Sequence, residues 1–135
     1  KQRGSKETFT ITPPNLKNAL GSETTTISVN GSHTAGDTTI AIDGFNADDA
    51  GSLKAGDFLK FASHTKVYQV VSDVTPSSNA ATVTIEPPII EALADDSTVT
   101  YDSVPFTVYL TSGIQSYSMG TNNLYNYEFD VCEAF

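Results

Sequence analysis

The stretch Leu53-Lys54-Ala55-Gly56-Asp57-Phe58-Leu59-Lys60-Phe61 decides how the rest of the chain is read. It has the form of a tight turn feeding a half-buried strand. Gly56 can take a positive φ that other residues resist, and the Asp57 carboxylate can accept nearby backbone N–H groups and fix the turn. Period-two alternation then puts Leu59 and Phe61 on one face, with Phe58 and Lys60 on the other. A second strand over residues 65–72 follows the short connector Ala62-Ser63-His64, which is the pattern of a hairpin. The stretch carries structure and no recognisable reaction chemistry.

The same texture extends in both directions. Alternation predicts strands at residues 7–12, 24–29, 38–42, 81–86 and 98–101, with inward pairs Phe9/Ile11, Ile27/Val29, Ile40/Ile42 and Val83/Ile85. Pro13-Pro14 and Pro87-Pro88 stop strands because proline cannot donate to a ladder. Asn30-Gly31 and Pro76-Ser77-Ser78-Asn79 are turn chemistry. Residues 15–21 read as a polar connector with about one helical turn. Two further segments read as short helices or turns: residues 44–51, with Asn46 as cap and Asp48 and Asp49 near the positive end of the dipole, and residues 89–94. From Pro105 the strands lengthen. Phe106, Val108 and Leu110 alternate, a strand at 114–119 follows, and residues 125–132 form the longest alternating run of all.

Composition agrees with this pattern. Of 135 residues, 39% are hydrophobic and 17% charged, and the apolar set is weighted toward Val, Ile, Phe and Tyr, which suits strands. That length makes one ordinary domain, or two small ones if one is inserted in the other. The turn spacing in the middle favours the second arrangement. Residues 21–104 read as a small β-rich domain, inserted into an outer β-domain whose strands lie in residues 1–20 and 105–135. The fold class is all-β, with an antiparallel sandwich- or barrel-like outer domain.

The formal charge is −9, and Lys1, Arg3 and Lys6 hide part of it. Residues 7–135 carry four basic against sixteen acidic side chains, or −12. Such a surface repels phosphate backbones, so nucleic-acid binding is not expected. Apolar runs are too short for a transmembrane helix, and no membrane insertion is expected. Cys132 has no partner for an internal disulfide and reads as a buried, inert thiol. His33 and His64 lack metal-ligand spacing and read as solvated loop residues. Asp43, Asp48 and Asp49 lack the spacing of a calcium loop, Asp95-Asp96 reads as an exposed turn, and no nucleophile elbow or phosphate cradle is present. No catalytic, cofactor or metal residue is therefore expected. Gly56 and Asp57 are the expected structural turn, and Tyr125, Tyr127 and Phe129 a possible interface. The first residues, Lys-Gln-Arg-Gly, read as the start of a fragment or processed product.

Three stretches together carry a resemblance: Lys54-Ala55-Gly56-Asp57-Phe58-Leu59-Lys60-Phe61, His64-Thr65-Lys66-Val67-Tyr68 and Val83-Thr84-Ile85-Glu86-Pro87-Pro88. In this order they are similar to an inserted β-domain of tail proteins from tailed bacteriophages. Val104-Pro105-Phe106-Thr107-Val108 and Tyr127-Glu128-Phe129-Asp130-Val131-Cys132-Glu133-Ala134 resemble the return into an outer, ring-forming domain of distal-tail or minor-tail proteins. Lys1-Gln2-Arg3-Gly4 resembles the exit of a helix belonging to an N-terminal half. The resemblance implies a non-enzymatic virion structural protein of the tail tip or baseplate, without cofactor. It would assemble with copies of itself and other tail proteins. The competing reading is a receptor- or carbohydrate-binding module, with a host surface receptor as partner of the inserted domain.

Overall fold

A computed structural model describes residues 7–46, 48–112, 116–119 and 125–135. In chain order the strands are β1 (Thr8–Ile11), β2 (Ile27–Val29), β3 (Thr39–Asp43), β4 (Phe58–Phe61), β5 (Tyr68–Val70) and β6 (Ala80–Glu86). They continue with β7 (Thr98–Thr100), β8 (Phe106–Leu110), β9 (Ser116–Met119), β10 (Tyr125–Glu128) and β11 (Val131–Glu133). A single 3-10 turn, Pro14–Leu16, stands between β1 and β2 among the described residues. The fold is all-β.

Six strands close into a barrel in the order β2-β3-β6-β5-β4-β7, every neighbouring pair antiparallel. Strand β7 closes it, because Val99 stands opposite Ile27 of β2 on one side and Phe61 of β4 on the other. The inward residues of each alternating pair form one core: Ile27, Val29, Ile40, Ile42, Leu59, Phe61, Tyr68, Val70, Val83 and Ile85 are all buried. Closure leaves no sheet edge on the barrel, which satisfies backbone groups that short strands would otherwise expose.

Outside the barrel, β8 runs between β1 and β11 in a three-stranded antiparallel sheet. Register places Phe9 opposite Val108, Ile11 opposite Phe106 and Val131 opposite Leu110. These residues share one apolar face, on which Val108 is buried and the others half-buried. Among the described residues, strands β9 and β10 pair only with each other.

Three expectations are corrected here. Residues 89–94 hold no helical turn. Their backbone bonds go to a distant segment instead of four residues back: Ile89 N–H donates to the Asp37 carbonyl, and Leu93 pairs with His33. The described residues of 44–51 take the turn rather than the helix of the two alternatives expected there, with Gly44 and Gly51 at left-handed φ and Phe45 turned into the core. The long run over 125–132 is not one strand. It divides at Phe129-Asp130, with β10 pairing to β9 and β11 to β8, and Phe129 is exposed. Cys132 is exposed rather than buried, because it lies opposite Tyr109 on the sheet face away from Val108.

Entry to the barrel depends on a close approach. The Gly21 and Glu23 region runs beside residues 51–53, with Ser22 N–H donating to the Gly51 carbonyl and Glu23 N–H to that of Ser52. A Cβ at Gly21 would meet the Ser52 carbonyl oxygen at 2.2 Å. A Cβ at Gly56 would meet only the Leu20 Cδ1 at 3.5 Å, so at Gly56 the cost of a side chain is its φ of 102°. Gly21→Ala should therefore destabilise by about 3 kcal/mol or more through backbone displacement, and Gly56→Ala by about 1–2 kcal/mol. Chemical denaturation of the two variants checks the order, and equal or reversed costs contradict it.

Candidate functional site

Asp57 sits at the end of the turn that feeds β4 and is 2% exposed. Its Oδ2 accepts from Lys54 N–H at 2.8 Å, closing its own turn. The two oxygens also reach across the chain, Oδ1 accepting from Leu20 N–H at 2.6 Å and Oδ2 from Gly21 N–H at 3.2 Å. Gly56 N–H donates to the Val70 carbonyl and Val70 N–H to that of Asp57, joining the turn to β5. The turn thus seats the Leu20-Gly21 segment against the barrel and joins the start of β4 to β5.

A second carboxylate, Glu23, does similar work three residues past Leu20. Glu23 Oε1 accepts from Thr24 N–H, Thr25 N–H and the Thr25 hydroxyl at 2.7–2.9 Å, and Oε2 from Asn46 N–H at 3.3 Å. Burial pushes its pKa up, but these hydrogen bonds outweigh burial and the net shift is downward. A carboxylate so saturated with donors is poorly placed to move protons. Nothing in the sequence pattern marks Glu23, because its partners are backbone groups of a connector and a loop together with one threonine hydroxyl.

Tyr101 completes the neck of the barrel. Its hydroxyl donates to the Thr25 carbonyl at 2.6 Å, and burial first, then the Glu23 and Asp102 carboxylates, raise its pKa. Asp102 accepts from Ala19 N–H, and Ser103 N–H donates to the Lys17 carbonyl. The entering and leaving segments are therefore tied together once backbone to backbone and once through the Asp102 carboxylate. Beside the neck, Asn18, Gly21, Glu23, Thr24, Tyr101 and Asp102 line an open groove of about 370 Å³.

Neither histidine is a solvated loop residue, which corrects the sequence reading. His64 is 4% exposed, its Nδ1 lies 2.8 Å from the Tyr68 hydroxyl, and that oxygen accepts from Ile90 N–H at 3.3 Å. His33 Nε2 accepts from Ala41 N–H at 3.1 Å, while its Nδ1 lies 3.7 Å from Asp37. Both rings serve as local connectors between strands and loops. Asp43 bonds the Ser28 hydroxyl, Asp48 the Asn79 N–H and Asp95 the Gly31 N–H, and no three such groups converge for a metal among the described residues. The side chains of Tyr125 and Tyr127 lie outside the described residues; Phe129 is 54% exposed.

Residues 17–104, nearly two-thirds of the chain, match the family model described as distal tail protein pb9, B domain. The chain belongs to that family. It is a phage distal tail structural protein by this assignment, and the expected phage-tail resemblance is met. The match begins at Lys17 and ends at Val104, so it takes in the neck bonds Ala19–Asp102 and Lys17–Ser103 along with all six barrel strands. A search of curated proteins finds no match.

Two variants test the carboxylate anchors. Asp57→Ala removes the acceptor of three N–H donors around a buried carboxylate and should cost about 3 kcal/mol. Glu23→Gln should cost roughly 1–2 kcal/mol at neutral pH. Because the folded-state pKa of Glu23 lies below the ordinary carboxylate value, its contribution is present above that value and is lost as pH falls through the folded one. Thermal melts of wild type and Glu23→Gln should therefore converge below about pH 4. A gap that persists unchanged to low pH contradicts this role.

Proposed function

We propose that the chain is a non-enzymatic structural component of a phage tail tip or baseplate, assembling with copies of itself and with other tail proteins in the virion. In this reading the barrel, residues 21–104, is an insertion in an outer β-domain built from residues 1–20 and 105–135. The observation that carries it is the outer sheet. Its flanking strands β1 and β11 have no further strand partner among the described residues, and its apolar face keeps Phe9, Ile11, Phe106, Leu110 and Val131 only half-buried. Sheet edges and faces of this kind are what neighbouring subunits cover in an assembly, and left open they invite uncontrolled pairing. The β9–β10 ribbon, which has no third strand among the described residues, supports the same reading, since a two-stranded ribbon is marginal in water and gains from a neighbour. Phe129 at its base, with Tyr125 and Tyr127 in β10, is the proposed interface.

A second reading, a receptor- or carbohydrate-binding module, is favoured by the groove beside Tyr101 and Asp102. The Tyr101 hydroxyl and the Asp102 carboxylate already bond within the chain, which leaves few converging polar groups for a sugar. Native mass spectrometry with electron microscopy of the purified chain separates the readings. Rings or defined oligomers that Phe129→Asp weakens are expected. A monomer with saturable glycan binding, unaffected by Phe129→Asp, overturns the structural reading.

A further inference from the structure

The four basic residues of 7–135 are Lys17, Lys54, Lys60 and Lys66, and two of them lie on one hairpin facing the outer sheet. Lys60, on the outward face of β4, donates from Nζ to the Pro105 carbonyl at 3.1 Å and the Thr107 hydroxyl at 3.4 Å. Phe58, two residues earlier, meets Phe106 edge-on at 5.5 Å. Both contacts fall beside the point where the chain leaves the barrel for β8.

The far end of the same hairpin makes a different kind of contact. Glu133 of β11 receives the Lys66 ammonium on Oε2 and Val67 N–H on Oε1, the latter at 2.7 Å. Both side chains of the ion pair are largely buried, and the Phe135 ring lies 4.6 Å from Lys66 Nζ. A charge-assisted bond to a backbone N–H combined with an ion pair fixes direction as well as distance. An acidic chain that commits half these cations to one seam concentrates its attraction there, against a background of general repulsion.

We infer that the Glu133 carboxylate is a latch: it closes the tip of the β4–β5 hairpin onto the outer sheet and thereby sets the attitude of the barrel, with the Lys60 and Phe58 contacts acting as the hinge side. This rests on the division into barrel and outer domain proposed above. Without the latch, the barrel keeps its own closed core and turns about the neck, where Lys17 bonds Ser103 and Ala19 bonds Asp102. Such a joint lets a subunit present its barrel in one direction while latched and in a range of directions when a competing group takes Glu133 or Lys66.

The test is amide exchange and 15N relaxation on the full chain, for wild type, Glu133→Gln and Lys66→Met. In wild type, barrel and outer sheet should share one tumbling time. In both variants, exchange at Val67 should rise about tenfold or more while Ile85 in the barrel core is unchanged, and the two parts should tumble separately. Unchanged Val67 exchange, or one shared tumbling time in both variants, overturns the latch. A parallel rise at Ile85 and Val108 would show one cooperative unit and overturn the two-part division itself.

Discussion

The Asp57 carboxylate is the constraint on which the barrel and its approach depend. A buried anion needs compensation, and Asp57 finds it in three backbone N–H groups from two segments: Lys54 in its own turn, and Leu20 and Gly21 in the connector that precedes β2. Through them the turn into β4 becomes the place where the incoming chain is seated. Gly21 must then pass against the Ser52 carbonyl, and Glu23 and Tyr101 hold the next residues down. Removing the anchor would leave the barrel strands intact in sequence but would free the segment that registers β2 against β3 and β7.

Family membership agrees with this mechanical view. The matched residues run from Lys17 to Val104, so the shared unit includes the neck along with the barrel. The neck ties the two ends of that unit together through the Lys17–Ser103 backbone bond and the Ala19–Asp102 bond. The polar side chains of the barrel, Asp57, Glu23, His33 and His64 among them, are spent on holding backbone and one another. What faces outward is acidic surface and the partly covered outer sheet.

Local features were readable from the sequence, and long-range ones were not. Alternation marked the inward faces of β3, β4 and β6, because a strand's period of two is written in consecutive residues. Gly56 and Asp57 stood out as turn chemistry for the same reason. The reach of Asp57 to Leu20 and Gly21 left no mark, since nothing local distinguishes a turn-closing carboxylate from one that also binds a segment far back in the chain. Gly21 was missed on the same ground, and so was the reach of Glu23 to Asn46. The helical turn expected at 89–94 failed because its backbone groups bond to a distant segment, which overrides weak local preference. His64 and Cys132 were assigned the wrong exposure, because a loop position can be covered by neighbouring strands, and an alternating run shows two faces without saying which one is covered.

On this reading the connector before β2 is seated on Asp57 as firmly as the barrel strands are seated on each other. Native-state hydrogen exchange of the wild-type protein tests it most directly. Protection at Leu20 and Gly21 comparable to that at Leu59 and Val70 is the predicted result. Exchange at Leu20 and Gly21 at the rate of an open loop, with β4 and β5 protected, contradicts it.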